Sequence, residues 1–362
     1  MTGSFIAPVL SSPVNLPGMT DKENDQQELY EHYRFIVDAG QKPLRIDKYL
    51  INRLESTSRT RIQNAAVAGN IMVDNQPVKP SYKVKPGETI TIVLPHPPRV
   101  IEIVPQDIPL DVLYEDNDLM VINKPAGMVV HPGYGNYTGT LVNALAWHLK
   151  DEPAFREGDT RPWLVHRIDK NTTGILVIAK NEIAMNKLAK QFFLHTVKRR
   201  YIALVWGTPP DQKGTIEGHI GRNPRDRTKM FVFPDGSQGK PAITHYRVLE
   251  DLGYISKVEC HLETGRTHQI RVHFQYIRHP LFNDAEYGGD RILKGTTFSK
   301  YQQFVINCFN ILPRQALHAK SLEFIHPSTG KIMSFDSPLP DDMEQVIRKW
   351  KKYMEGRTTN SD

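Results

Sequence analysis

Apolar positions along the chain change period several times. Leu44, Ile46, Tyr49, Leu50 and Leu54 recur at roughly helical spacing. Ser58 then offers a side-chain oxygen to cap a second helix, and Gly69 a residue to end it. Beyond Gly69, Ile71–Asp74, Val78 and Thr89–Val93 read as short strands, with turns at Asn75-Gln76 and Pro86-Gly87. Further on, strand-like runs (Val112–Tyr114, Leu119–Ile122, Ile175–Ala179, Tyr201–Val205, Ser256–His261) alternate with helix-like ones (Thr140–Leu149, Glu182–Phe193, His268–Ile277, Asp342–Met354). The mixture predicts an α+β protein: a small α+β module, then a larger domain on a mixed or antiparallel sheet. The expected divisions are a flexible tail over 1–40, the module over 41–95, a linker over 96–103 stiffened by Pro95, Pro97 and Pro98, the large domain over 104–352, and a second tail over 353–362.

Charge sharpens that division. The net charge of +6 is unevenly spread. Residues 1–40 hold two basic and six acidic side chains, whereas 41–95 hold nine basic and four acidic. Arg59 and Arg61 stand in the first turn of the module's second helix, where cations oppose the helix dipole at a cost of a few tenths of a kcal/mol, roughly. A phosphate partner would reverse that cost, which favours RNA contact over an idle solvated face. No apolar run reaches about 18 residues, so no membrane span is expected. The first residues lack a basic region ahead of an apolar core and make a poor signal peptide. Two cysteines, Cys260 and Cys308, cannot frame a disulfide-built fold, and a reducing cytoplasm is expected. Nothing demands a dimer, and a monomer is expected.

Four stretches carry candidate chemistry. His166-Arg167-Ile168-Asp169-Lys170-Asn171-Thr172-Thr173-Gly174 is a polar loop feeding an apolar strand, a common setting for catalytic groups. From spacing alone Asp169 reads equally as an ordinary turn carboxylate. A kinase loop is excluded, because Ile168 interrupts His-Arg-Asp and no Gly-rich loop precedes it. A glycosidase would need a paired carboxylate, and nothing marks Glu182 or Glu263 as one. Gly265-Arg266-Thr267-His268-Gln269-Ile270-Arg271 is a turn entering a helix. His261, His268, His273 and His279 lack any HExxH or CxxC companion, so no metal is expected. Tyr201, Ala203 and Val205 share one strand face, which suits a core tyrosine or a base-stacking one. Arg222, Arg225, Arg227 and Lys229 crowd an exposed loop able to touch phosphates.

The module RIDKYLINRL followed by SRTRIQNAAVAGNIMVDNQPVKPSYKVKPGETITI resembles the S4 RNA-binding domain. The larger domain resembles the RluA-type pseudouridine synthases, through the 166–174 and 265–271 elements and Arg314-Gln315-Ala316-Leu317-His318-Ala319. Thr173 stands where Ser is usual, Arg199 where Lys is usual, and Asn283-Asp284 where Gly-Asp is common. An S4 domain beside it implies the branch similar to the RluC and RluD types, which act on large-subunit ribosomal RNA or an assembling subunit. The resemblance implies a cofactor-free isomerase. In it Asp169 is the essential carboxylate, Arg271 its salt-bridge partner and Tyr201 the stacking surface. Arg167 fills the gap left by a flipped nucleotide, and Ile270 and His268 line the pocket. A non-catalytic S4-type RNA-binding or assembly factor is the alternative; it has no need of the Asp169, Tyr201 and Arg271 set.

Overall fold

The computed structural model describes residues 30–54, 57–94, 103–133, 135–152 and 163–358, which fall into two compact units, Met1–Ile101 and Glu102–Asp362. In the first unit the chain forms β1 (Tyr30–Ile36), β2 (Leu44–Arg45), α1 (Ile46–Ile51), α2 (Arg59–Val67), β3 (Ile71–Val73), β4 (Gln76–Pro77), β5 (Lys83–Val84) and β6 (Thr89–Leu94). The sheet order is β1-β6-β3-β4, with β2 and β5 paired apart from it. Ile46, Tyr49 and Leu50 from α1 and Ile62 and Ala66 from α2 pack on Ile71, Val73 and Ile90 of the sheet. Ser58 caps α2 by accepting from the Arg61 amide. The β3–β4 turn lies one residue earlier than expected: Asp74 and Asn75 both take positive φ, the requirement of the tight hairpin turn whose twist matches its strands.

Two expectations need correction here. The tail over 1–40 is not a tail throughout, because Tyr30–Ile36 pairs antiparallel with β6 and Val37 is buried. Nor does Arg59 need a phosphate to offset its place in the first turn of α2. Its guanidinium donates twice to the buried Asp47 carboxylate, at 3.0 and 2.9 Å, and Arg45 and Gln63 donate to the same group. Burial alone would raise the Asp47 pKa; these donors outweigh it and hold the carboxyl well below the usual range. Arg61 remains exposed. The linker over 96–103 lies, except for Ile103, outside the described residues.

The second unit forms β7 (Val112–Glu115), β8 (Leu119–Lys124), α3 (Leu141–His148), β9 (Trp163–Leu164), β10 (Thr173–Ala179), α4 (Glu182–Phe193), β11 (Lys198–Trp206), β12 (Lys213–Arg222), β13 (Met230–Phe233), β14 (Lys240–Asp251) and β15 (Ile255–Leu262). It continues with α5 (Gln269–Tyr276), α6 (Ser299–Ile311), β16 (Leu317–Ile325), β17 (Ile332–Asp336) and α7 (Asp341–Thr358). The described strands make one eleven-stranded sheet with the main order β13-β12-β14-β15-β11-β16-β10-β8-β7. Its ladders are antiparallel except β10 against β16, where Thr173 and Gly174 face His318 and Ala319 in parallel, so the sheet is mixed. Alternation along β11 sends Tyr201, Ala203 and Val205 to one face, with Ile270 and Phe274 of α5 and Leu141 and Leu145 of α3. It sends Ile202, Leu204 and Trp206 to the other, under Tyr301 and Val305 of α6 and Val346 and Trp350 of α7. The tail expected over 353–362 is corrected in part, since α7 runs to Thr358 and Tyr353 packs on that second core.

Candidate active site

Asp169 stands in the loop between β9 and β10, at the one parallel junction of the sheet. The loop is pinned from below. The Lys124 ammonium, almost wholly buried at the end of β8, donates to the carbonyls of Pro125, Met128 and Lys170 at 2.6, 2.9 and 3.0 Å. Arg314 donates to the Asn171 carbonyl at 3.1 Å, and Gln315 to the Thr172 hydroxyl at 3.3 Å. The backbone closes a turn by Thr172 N–H to Asp169 O, 3.1 Å. Gly174, at φ +113°, follows at once; a side chain there would collide with the Ala319 carbonyl. His166 accepts from the Val177 amide at 3.0 Å and stacks on Phe192. Burial, then the charge of Arg199, lower its pKa to about 3.

The structure brings Asp169 and Arg271 together. Arg271, on the first turn of α5 and 5% exposed, places Nη1 3.2 Å from Asp169 Oδ2; Asp169 itself is 20% exposed. The rest of the guanidinium is held by two carboxylates that the sequence did not mark as its partners. Nε and Nη2 donate to the two oxygens of buried Asp284 at 2.7 and 2.8 Å, and Nη2 also to Glu286 at 2.7 Å. Burial alone would lower the Arg271 pKa; Asp284 first, then Asp169 and Glu286, more than reverse that and hold it well above its ordinary value. The bidentate hold on Asp284 leaves Nη1 as the nitrogen aimed at Asp169.

His268 completes the floor. Its backbone is left-handed, φ 56°, which swings the ring over the start of α5. The Tyr287 hydroxyl accepts from the Met230 amide at 3.0 Å and meets His268 Nδ1 at 2.8 Å. Nδ1 also lies 3.4 Å from a Glu286 oxygen, Nε2 faces Asp169 Oδ1 at 3.9 Å, and burial lowers the His268 pKa.

Beside these groups lies a cavity of about 460 Å³ lined by Arg167, Asp169, Tyr201, His268, Ile270 and Arg271, and also by Phe192, Phe193, His195, Arg199 and Arg266. That volume suits a nucleotide-sized ligand. Tyr201, 8% exposed, packs in the core beside Ala203 and Cys260 and also lines the cavity. Burial raises its pKa, so it is a neutral phenol at physiological pH. Arg222, Arg225 and Arg227 are exposed on the β12–β13 hairpin and do not line the cavity; Lys229 pairs with Asp226 at 3.3 Å. Arg59 and Arg61 belong to the other unit.

Among the described residues, Asp116, Asp118 and His326 gather closely enough to suggest a metal. Their protons argue otherwise. His326 Nδ1 accepts from the Ser328 and Thr329 amides, which leaves Nε2 protonated and donating to Asp116 at 2.8 Å. Asp116 also accepts from Tyr114 and two backbone amides. No lone pair on that ring is left for a cation.

Comparisons with known proteins agree with this arrangement. Residues 118–276 match the RNA pseudouridylate synthase family and residues 44–90 the S4 domain. An uncharacterized RNA pseudouridine synthase of Chlorobaculum parvum is 48% identical over 320 residues, covering 88% of this chain and 97% of the relative. The ribosomal large subunit pseudouridine synthase D of Zymomonas mobilis is 42% identical over 306 residues, covering 84% of this chain and 93% of the relative. The solved structure of human RNA pseudouridylate synthase domain containing 4 covers 66% of this chain and 92% of its own, at 24% identity and a TM-score of 0.50, a likeness of fold.

Proposed function

Given that the chain belongs to the RNA pseudouridine synthase family, we propose that it converts uridines of large-subunit ribosomal RNA to pseudouridine, with Asp169 as the reacting carboxylate. The observation that carries this reading is the Asp169–Arg271 pair, 3.2 Å apart on the floor of a cavity with Tyr201 in its wall. The relative from Zymomonas mobilis, named for the large ribosomal subunit, supports the choice of RNA.

The reaction breaks the N1–C1′ bond, turns the uracil and joins C5 to C1′; the C5 proton leaves to solvent and N1 gains one. Nothing is oxidised and no group passes to water. Extracting the base from its stack costs a few kcal/mol, roughly, by analogy with other base-flipping enzymes. Stacking on Tyr201 returns about 1–3 kcal/mol. Arg167, exposed at the rim, fills the vacated gap. Asp169 Oδ1, the oxygen not bound to Arg271, either attacks C1′ or takes the C2′ proton to give a glycal. RNA deuterated at C2′ separates these routes: a primary isotope effect marks the glycal.

The test uses ribosomal RNA tritiated at C5. Asp169→Asn should release no tritium while still binding RNA and melting cooperatively. Full turnover by that variant would end the assignment.

A further inference from the structure

The cavity lining includes a buried cation that the described residues leave without a carboxylate partner. Arg199, on β11 two residues before Tyr201, is 9% exposed and lines the cavity. Among the described residues no carboxylate lies within ion-pair distance of it. Its Nη2 reaches the Leu262 and Glu263 carbonyls only at 3.4 Å, and its buried Nε has no hydrogen-bond partner. The guanidinium lies where a side chain on Gly265 would stand, so that glycine clears its place. A desolvated guanidinium without a counter-charge is unfavourable in a resting protein. It is sensible where an anion arrives with the ligand.

α4 ends on Phe193, 80% exposed, followed by His195 in a left-handed conformation; both line the same cavity as Arg199. A bare aromatic ring continuous with a cavity that takes a nucleobase is a ready stacking platform. Resting on the synthase reading above, we propose that this part of the lining is a second nucleotide subsite. Arg199 binds the phosphodiester next to the target uridine and Phe193 stacks the neighbouring unpaired base. The subsite accounts for a charge and a ring that the isomerisation itself does not use. It also restricts substrates to uridines whose neighbour is unpaired, since a paired base cannot reach Phe193.

The test measures the affinity of the full-length protein for a fluorescein-labelled octauridylate across a salt series. Arg199→Gln should weaken binding and flatten the logarithmic salt slope by about 0.7, the contribution of one single-strand phosphate. Arg199→Lys should restore the slope. Phe193→Ala should weaken binding about tenfold with the slope unchanged, and Phe193→Trp should recover it. An unchanged slope in Arg199→Gln, with the protein folded by circular dichroism, overturns the phosphate site. Unchanged affinity in Phe193→Ala overturns the base platform. Either failure is distinct from failure of the synthase reading, which would show as no tritium release by the wild-type protein.

Discussion

Arg271 donates to three carboxylates, and they are not equivalent. Asp284 is fully buried and takes two guanidinium nitrogens; Glu286 is half exposed and takes one; Asp169 alone of the three lines the cavity. Asp284 therefore fixes the plane of the guanidinium, and Glu286 is an outer brace. Asp284→Asn should cost about 3–5 kcal/mol, the loss expected when a buried ion pair is broken from one side. Glu286→Gln should cost less than about 1 kcal/mol, as exposed pairs do. Urea melts of the two variants decide this, and equal losses would remove Asp284 from its role. The Asp169–Arg271 pair was legible only through the motifs that carry the family resemblance, since spacing gave Asp169 no advantage over a turn carboxylate. Asp284 was noticed merely as one half of Asn283-Asp284. Its partner lies thirteen residues away across a turn, and no local period reports such a pairing.

At the scale of elements, the β10–β16 junction decides where the Asp169 loop sits. Gly174 has φ +113° and no room for a Cβ against β16. Gly127 also has positive φ, +82°, but nothing lies within 4 Å of a Cβ there. Gly127→Ala should thus cost only the backbone strain, about 1 kcal/mol. Gly174→Ala adds a collision with a strand carbonyl and should cost several times as much, on the order of the largest single-site effects. Thermal melts of both variants test the difference, and equal shifts would mean that the junction yields. Elements with strong local signals were legible: α4 matches its expected span, helped by the Asn181 cap and a continuous apolar stripe. Others gave no signal. The α6 helix begins after Phe298 with no side-chain cap and no acidic residue in its first turn. The long strands β12 and β14 carry Gly214, Gly218, Gly221 and Pro241, which read as loop. The β1 strand interleaves Glu31, His32 and Arg34 with its aromatics, as befits an edge, and so passed for part of a solvated tail.

For the whole molecule, the buried His273 and His318 and the half-buried His166 contribute to how the synthase unit responds to acid. His166, His273 and His318 have pKa values lowered to about 3, 4 and 4, with burial the largest cause in each. His166 accepts an amide proton from Val177, and His318 bridges Thr173 to Ser337, so two of the three tie down the strand and loop that carry Asp169. In the unfolded chain each takes up a proton as pH falls through about 6.5. The folded state stays neutral at these sites until pH approaches 4. The unfolded state then binds more protons than the folded one, and stability is lost as pH drops. Three such groups amount to about 4 kcal/mol lost between pH 7 and pH 5.5. The prediction can be read on this unit alone, because all four tryptophans, Trp147, Trp163, Trp206 and Trp350, lie within it. Urea titrations followed by tryptophan fluorescence should show the midpoint falling steadily over that range. His273→Asn should lower stability at pH 7 yet remove about a third of the pH dependence. A midpoint flat from pH 7 to 5.5 would mean that these rings protonate in place, and that the loop holding Asp169 is not sealed by neutral imidazoles.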